Sequence, residues 1–208
     1  MIKLYWHPIS GHAHRAHMLL SMLGLDFELI EVDLPAGEHQ QAEFLALNPF
    51  GQIPVLVDGE TIIADSNAIL IYLAGVYDDN QSWLPEGPRD RAHVEQFLSL
   101  AAHRLAGSIA KLRAANLFNR TIDNEPLALE AYKLLAQLNG YLIERTWLVG
   151  AKPTIADLAL YSYLKLAPEA GISLADSPDL QRWLTQVEAL PGFVPMQVSN
   201  VGLNKNRS

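Results

Sequence analysis

Residues 48–66, NPFGQIPVLVDGETIIADS, decide the fold. They read as a turn, a strand, a two-residue hairpin at Asp58-Gly59, a second strand and the start of a helix. Asp-Gly between two apolar runs is the strongest short-range hairpin signal. Ile53, Val55 and Val57 fall on one face of the first strand and Leu56 on the other, as a period of two requires. Pro54 stands at the strand's start, where a residue without an N–H disturbs the ladder least. Proline in that position marks a special backbone geometry, and a cis peptide is one option. With Ile53-Pro54 cis, the main-chain groups of Ile53 turn outward and can pair with an extended ligand. Ala64-Asp65-Ser66 then brings a carboxylate, a hydroxyl and free helix N–H groups together. Such a corner can hold a small peptide by both of its charged ends.

Toward the N-terminus, residues 2–6 form a short apolar strand ended by His7-Pro8. A helical pattern runs over 11–23, with Ser10 at the N-cap position and Gly24 as the stop. Strand character returns over 27–33. A polar loop at 35–39 and a short helix at 41–47 lead back to Asn48. With a helix over 66–77 the order is β-α-β-α-β-β-α, an α/β unit of four strands with covering helices. Composition then changes at DDNQS and LPEGP, so residues 78–88 read as a linker between a domain at 1–77 and a helical domain at 89–208. In the latter, apolar residues from Val94 to Leu112 recur at three- and four-residue steps and predict one long amphipathic helix. A second helix is expected over 125–145. Thr154 and Asp157 form a capping box that opens an almost wholly apolar, hence central and buried, helix. Shorter helices are expected over 178–190 and after Pro191-Gly192.

The 208 residues include 50 % hydrophobic and 18 % charged side chains, the balance of a soluble globular protein. A net charge of −8 argues against nucleic acid or an anionic membrane surface as partner. The absence of cysteine removes disulfides, CxxC redox chemistry and a cysteine nucleophile together. With no leader or membrane-spanning run visible, the cytoplasm is the expected location.

Asn48-Pro49-x-Gly51-x-Ile53-Pro54-Val55-Leu56, Ala64-Asp65-Ser66-x-Ala68-Ile69 with Tyr72-Leu73, and Thr154-Ile155-Ala156-Asp157 occur here in one order and spacing. Together they resemble the cytosolic glutathione transferase family, in a bacterial class like the serine-type ones, over roughly residues 1–195. The resemblance implies an α/β thioredoxin-like N-terminal domain plus an all-α C-terminal domain, paired as a homodimer in detoxification. It implies glutathione as co-substrate without a further cofactor, and a small hydrophobic electrophile bound against the helical domain. By the same resemblance Pro54 is the cis-proline that lets Ile53 pair with the cysteinyl part of glutathione. Asp65 and Ser66 hold its γ-glutamyl end, and His39 and Gln52 its glycine carboxylate. A non-catalytic glutathione-binding or protein-interaction module on the same fold is the alternative.

Conjugation needs glutathione as thiolate, since a free thiol with a pKa of about 8.5 is mostly protonated at neutral pH. A hydroxyl donating to sulfur at a helix N-terminus stabilises the charged form. Ser10 is placed to do so. The loop HPISGHAHR is one residue longer before its arginine than the best-known serine-type pattern, which keeps Tyr5 on strand one, or a site of main-chain donors alone, as rivals. His12 is expected at the site mouth, and His14 and His17 on the helix surface. A metal site among them is the opposing reading, which lacks cysteine or carboxylate support. Arg15 is expected to meet an acid of the helical domain. Ile9, Trp6, His12 and residues 103–117 are candidates for the electrophile site, Arg104 or Arg113 favouring acidic electrophiles. Phe50 is either a key inserted into a partner subunit or a residue of its own sheet, and Asp157 is structural.

Overall fold

The structure, a computed structural model, describes residues 1–205. The end of the expected helical domain, 206–208, lies outside the described residues. Strand β1 (Ile2–Trp6), helix α1 (Gly11–Met22), strand β2 (Phe27–Glu31), a 3-10 turn (Glu38–Gln40), helix α2 (Ala42–Leu47), strands β3 (Val55–Asp58) and β4 (Thr61–Ala64) and helix α3 (Ser66–Tyr77) follow the expected order. The sheet runs β2-β1-β3-β4. β1 and β2 are parallel, joined by α1 as a parallel pair demands, and β3 and β4 are antiparallel across the Asp58-Gly59 turn. Gly59 has φ 59°, which such a tight hairpin favours. Leu4 lies opposite Leu56 and faces the main core, whereas Tyr5 and Val55 face Phe44 of α2 on the other side. The Ile53-Pro54 peptide is cis.

The helical half opens with α4 (Pro88–Leu100), continues through a π-helical stretch (Ala101–Ala110) and ends in α5 (Lys111–Leu117). This is the long helix that the apolar spacing predicts. Its π-helical middle leaves no mark in that spacing. Helices α6 (Asn124–Leu142), α7 (Ile155–Lys165) and α8 (Pro178–Glu188) complete it. Every residue of α7 from Ile155 to Leu164 is buried, the polar Asp157 and Ser162 included, which makes it the central helix of this half. α7 packs on α1 and α3, so the helical half rests directly on the face of the α/β unit that carries Ser10 and Ser66. None of the described helices is long and apolar enough to cross a membrane.

The helix expected after Pro191-Gly192 does not form. Pro191 and Pro195 cannot donate helical hydrogen bonds, and Gly192 has φ 75° with Ser21 O only 2.8 Å from where a Cβ would stand. Residues 191–201 instead run extended over α1 and the bundle and end in a 3-10 turn (Gly202–Asn204). Val194 O meets His14 Nε2 at 2.8 Å, and Ser199 N–H donates to Glu169 Oε1 at 2.5 Å.

Candidate active site

Three separated segments of the α/β unit converge on a cleft of about 600 Å³. His39 comes from the 3-10 turn, Gln52, Ile53 and Pro54 from the approach to β3, and Asp65 and Ser66 from the β4–α3 corner, and all six line it. Buried Asn48 sets the middle segment: its Nδ2 donates to Gln52 O at 2.7 Å and its Oδ1 accepts from Phe50 N–H at 3.1 Å. The sequence marked Asn48 only as a turn residue. Asp65 is bent to φ 77°, ψ 126°, a conformation costly for any residue with a Cβ. Its Oδ1 accepts from both Asn67 N–H (2.9 Å) and Ala68 N–H (3.0 Å), capping α3. Those bonds leave Oδ2 without a hydrogen-bond partner among the described residues, and Asp65 lines the cleft. Ser66 Oγ lies 3.4 Å from His12 Nδ1.

Past Leu34, which lines both, the cleft meets a smaller pocket of about 150 Å³ between the two halves. Ile9 and Ser10 form its α/β side, and Arg113, Leu117, Phe118 and Tyr163 its helical side. Ser10 caps α1: Ala13 N–H donates to its Oγ at 3.2 Å. The hydroxyl proton stays available to the pocket, at the positive end of the helix. Burial, and secondarily the charge of Arg15, pushes the His12 pKa down to about 3, so this imidazole is neutral near pH 7. It contributes no charge there. Tyr5, the rival hydroxyl, lines neither cavity, because its ring packs edge-on against Phe44.

Several expectations need correction. His14 is buried rather than on the surface, held by Ser162 Oγ at 2.9 Å, and burial lowers its pKa to about 4. His17 is half-buried between the rings of Trp6 and Phe27. The three histidines thus have separate partners, and among the described residues no group of three ligating side chains could hold a metal ion. Arg15 meets no acid of the helical half: it lies wholly inside, with Nη1 on Asn67 Oδ1 at 2.9 Å. Trp6 stays with His17 in the core, and Arg104 pairs with Glu130 of α6 instead of facing the site. His12 sits on the cleft side beside Ser66 and not in the inner pocket. Arg113 lines that pocket, yet it is no free cation, since it pairs with buried Glu169 at 2.6 Å and donates to Ile9 O at 2.7 Å. Phe50 is 80 % exposed and so does not pack into its own sheet. Sequence reasoning missed Tyr163, Glu169 and Arg120, the last reaching the cleft from beyond α5. A phenol inside an apolar helix was the only available sign of Tyr163, and nothing in the local sequence marks Arg120.

Residues 1–75 match the family described as glutathione S-transferase, N-terminal domain, and residues 119–191 match glutathione S-transferase, C-terminal domain. The chain is 34 % identical to glutathione S-transferase 3 of Zea mays, with 92 % of this chain and 91 % of that one covered. It is 33 % identical to glutathione S-transferase 2 of Anopheles gambiae over 92 % and 93 % of the two chains. A crystal structure of a glutathione S-transferase from Pseudomonas fluorescens Pf-5 superposes with a TM-score of 0.87 at 34 % identity, covering 95 % of this chain and 99 % of that one. The four-stranded unit and the helical half resting on it are therefore those of the glutathione S-transferase family, to which this chain belongs.

Proposed function

We propose that the protein conjugates glutathione through its sulfur to a small hydrophobic electrophile. One observation carries the reading: the six residues expected to hold glutathione, drawn from three distant segments, line one cleft that leads past Leu34 to the pocket containing Ser10. Glutathione lies in the cleft with its ammonium at Asp65, its γ-glutamyl carboxylate at Ser66 and the N-terminus of α3, its cysteinyl main chain at Ile53, and its glycine end toward His39 and Gln52. Its sulfur enters the inner pocket, where Ser10 donates to it and holds the thiolate. The sulfur lone pair forms a C–S bond to the electrophilic carbon, the leaving group departs with its electron pair, and the thiol proton has already gone to solvent. The helical half supplies the apolar wall through Leu117 and Phe118.

Incubation with glutathione and 1-chloro-2,4-dinitrobenzene tests the reading, followed as thioether absorbance. Turnover that falls with Ser10→Ala is expected. Glutathione binding without turnover on this or other aryl and alkyl halides sinks the conjugation reading and leaves a glutathione-holding module. Phe50 extends the proposal to assembly, because an aromatic ring this exposed on a loop is covered when a second copy of the chain receives it. Sedimentation is expected to give a dimer that Phe50→Ser weakens, and a wild-type monomer overturns it.

A further inference from the structure

Tyr163 belongs to the helical half, yet the hydroxyl end of its ring stands at the N-terminus of α1 beside Ser10. A Cβ added to Gly11 would lie 2.8 Å from Tyr163 Cζ, closer than to any other atom, so Gly11 leaves the space that the phenol end fills. The phenol end lies over Gly11, the first residue of the helix, while Ser10 Oγ receives the N–H of Ala13. Two residues from the two halves of the molecule, Ser10 and Tyr163, thus meet at the N-terminus of α1. Both residues line the inner pocket, and Tyr163 is only 7 % exposed.

The surroundings favour an anion at this point. Arg15 on α1 and Arg113 on α5 both act on Tyr163 by their charge, and each keeps a buried guanidinium nitrogen without a partner among the described residues. Glu169 is ion-paired with Arg113, while Asp65 lies close enough to act on Arg15. His12, whose ring meets that of Tyr163 edge-on at 4.9 Å, is neutral near pH 7. Burial raises the phenol's own pKa, which keeps it a proton donor across the neutral range. A buried donor between two arginines, at a helix N-terminus and opening on an apolar pocket, suits an atom that gains negative charge when its proton leaves.

We propose that Tyr163 supplies a second hydroxyl donor to the glutathione sulfur, so that the thiolate is held by Ser10 from the α/β unit and by Tyr163 from the helical half. This rests on the conjugating reading above. It explains why Gly11 carries no side chain.

The test is the ultraviolet thiolate band of bound glutathione, titrated with pH on the intact protein, with the pH profile of kcat/KM beside it. Tyr163→Phe keeps the ring on Gly11 and His12 and removes only the hydroxyl. Its titration midpoint and the acid limb of its profile are expected to rise by about one pH unit, roughly a tenfold loss of thiolate at a fixed pH below the midpoint. Ser10→Ala is expected to raise both, and the double variant to raise them further than either. Gly11→Ala, which displaces the phenol end, is expected to reproduce the shift of Tyr163→Phe. An unmoved midpoint in Tyr163→Phe alongside a shifted one in Ser10→Ala overturns the proposal, as does a change confined to KM for the electrophile. A wild type that binds glutathione with no thiolate band sinks the conjugating reading itself, a distinct result.

Discussion

Two aspartates begin two helices in this protein and have opposite meanings. Asp157, in the first turn of α7, spends both carboxylate oxygens inside the protein. Oδ1 accepts from Leu148 N–H at 3.1 Å and Trp183 Nε1–H at 2.8 Å, and Oδ2 from Thr154 N–H at 2.9 Å and Thr154 Oγ1–H at 3.3 Å. It is fully buried. Asp65, the N-cap of α3, is exposed, spends one oxygen on two N–H groups, leaves the other unspent, and lines the cleft from a backbone held at positive φ. Cap chemistry alone therefore does not announce a binding site. What distinguishes the two is the unspent oxygen, and the backbone cost accepted beside it.

The contrast breaks most visibly at Asp157. In Asp157→Asn one carboxylate oxygen becomes an NH2 group that must face buried N–H donors, from whichever side it is flipped. At least one donor is left unpaired, and a stability loss of about 3 kcal/mol is expected in urea unfolding. A loss under about 0.5 kcal/mol would mean that the amide finds acceptors the native packing does not offer. At Asp65 the effect should appear in binding instead. Asp65→Asn removes the charge that meets the ammonium of glutathione, and affinity measured by calorimetry is expected to fall tenfold or more, as for a charge-assisted hydrogen bond of about 1.5–3 kcal/mol. An unchanged affinity would move the ammonium to some other acceptor in the cleft.

Acid separates the closed side from the open one more gently. His14, beside Ser162 of α7, has its pKa lowered by burial to about 4, and the backbone acceptor Val194 O only partly offsets this. A group whose folded pKa is depressed gives stability that is present above its unfolded value near 6.5 and is lost as pH falls toward 4, because only the unfolded chain takes up the proton. Asp157 works in the opposite sense: burial raises its pKa to about 6, so the folded state binds a proton first. Comparing wild type with His14→Asn cancels that shared contribution. The wild type is expected to lose more stability than the variant between pH 6.5 and 4, and equal slopes would show that His14 titrates alike in both states.

Much of this was legible in the chain because it is local. The Asp58-Gly59 hairpin, the proline before β3, the Thr154-Asp157 box and the Ser10 and Asp65 caps each depend on neighbours within four residues, and the expected partners are found. Partnerships across the chain were not legible. Arg15 with Asn67, Arg113 with Glu169, and Tyr163 over Gly11 join residues 52, 56 and more than 150 positions apart. No spacing rule reaches that far, since those contacts exist only once α1 packs on α3, α5 on the turn after α7, and α7 on α1. The tail after Gly192 failed partly for a related reason: its prolines oppose a helix, but its path is set by distant Ser21 and His14.

The smallest effect completes the contrast, and comes from measuring the stability of Asp65→Asn instead of its affinity. Asparagine caps a helix about as well as aspartate and tolerates positive φ better than most residues. Only Oδ1 of Asp65 is engaged, so the amide oxygen can take that place and the NH2 group can point into the open cleft, where water receives it. Unfolding free energy is expected to stay within about 0.5 kcal/mol of wild type, while the same substitution at Asp157 is costly. A loss at residue 65 approaching that at 157 would mean that the Asp65 charge stabilises the folded chain without ligand, through Arg15 beneath it, and that the second oxygen is already in use.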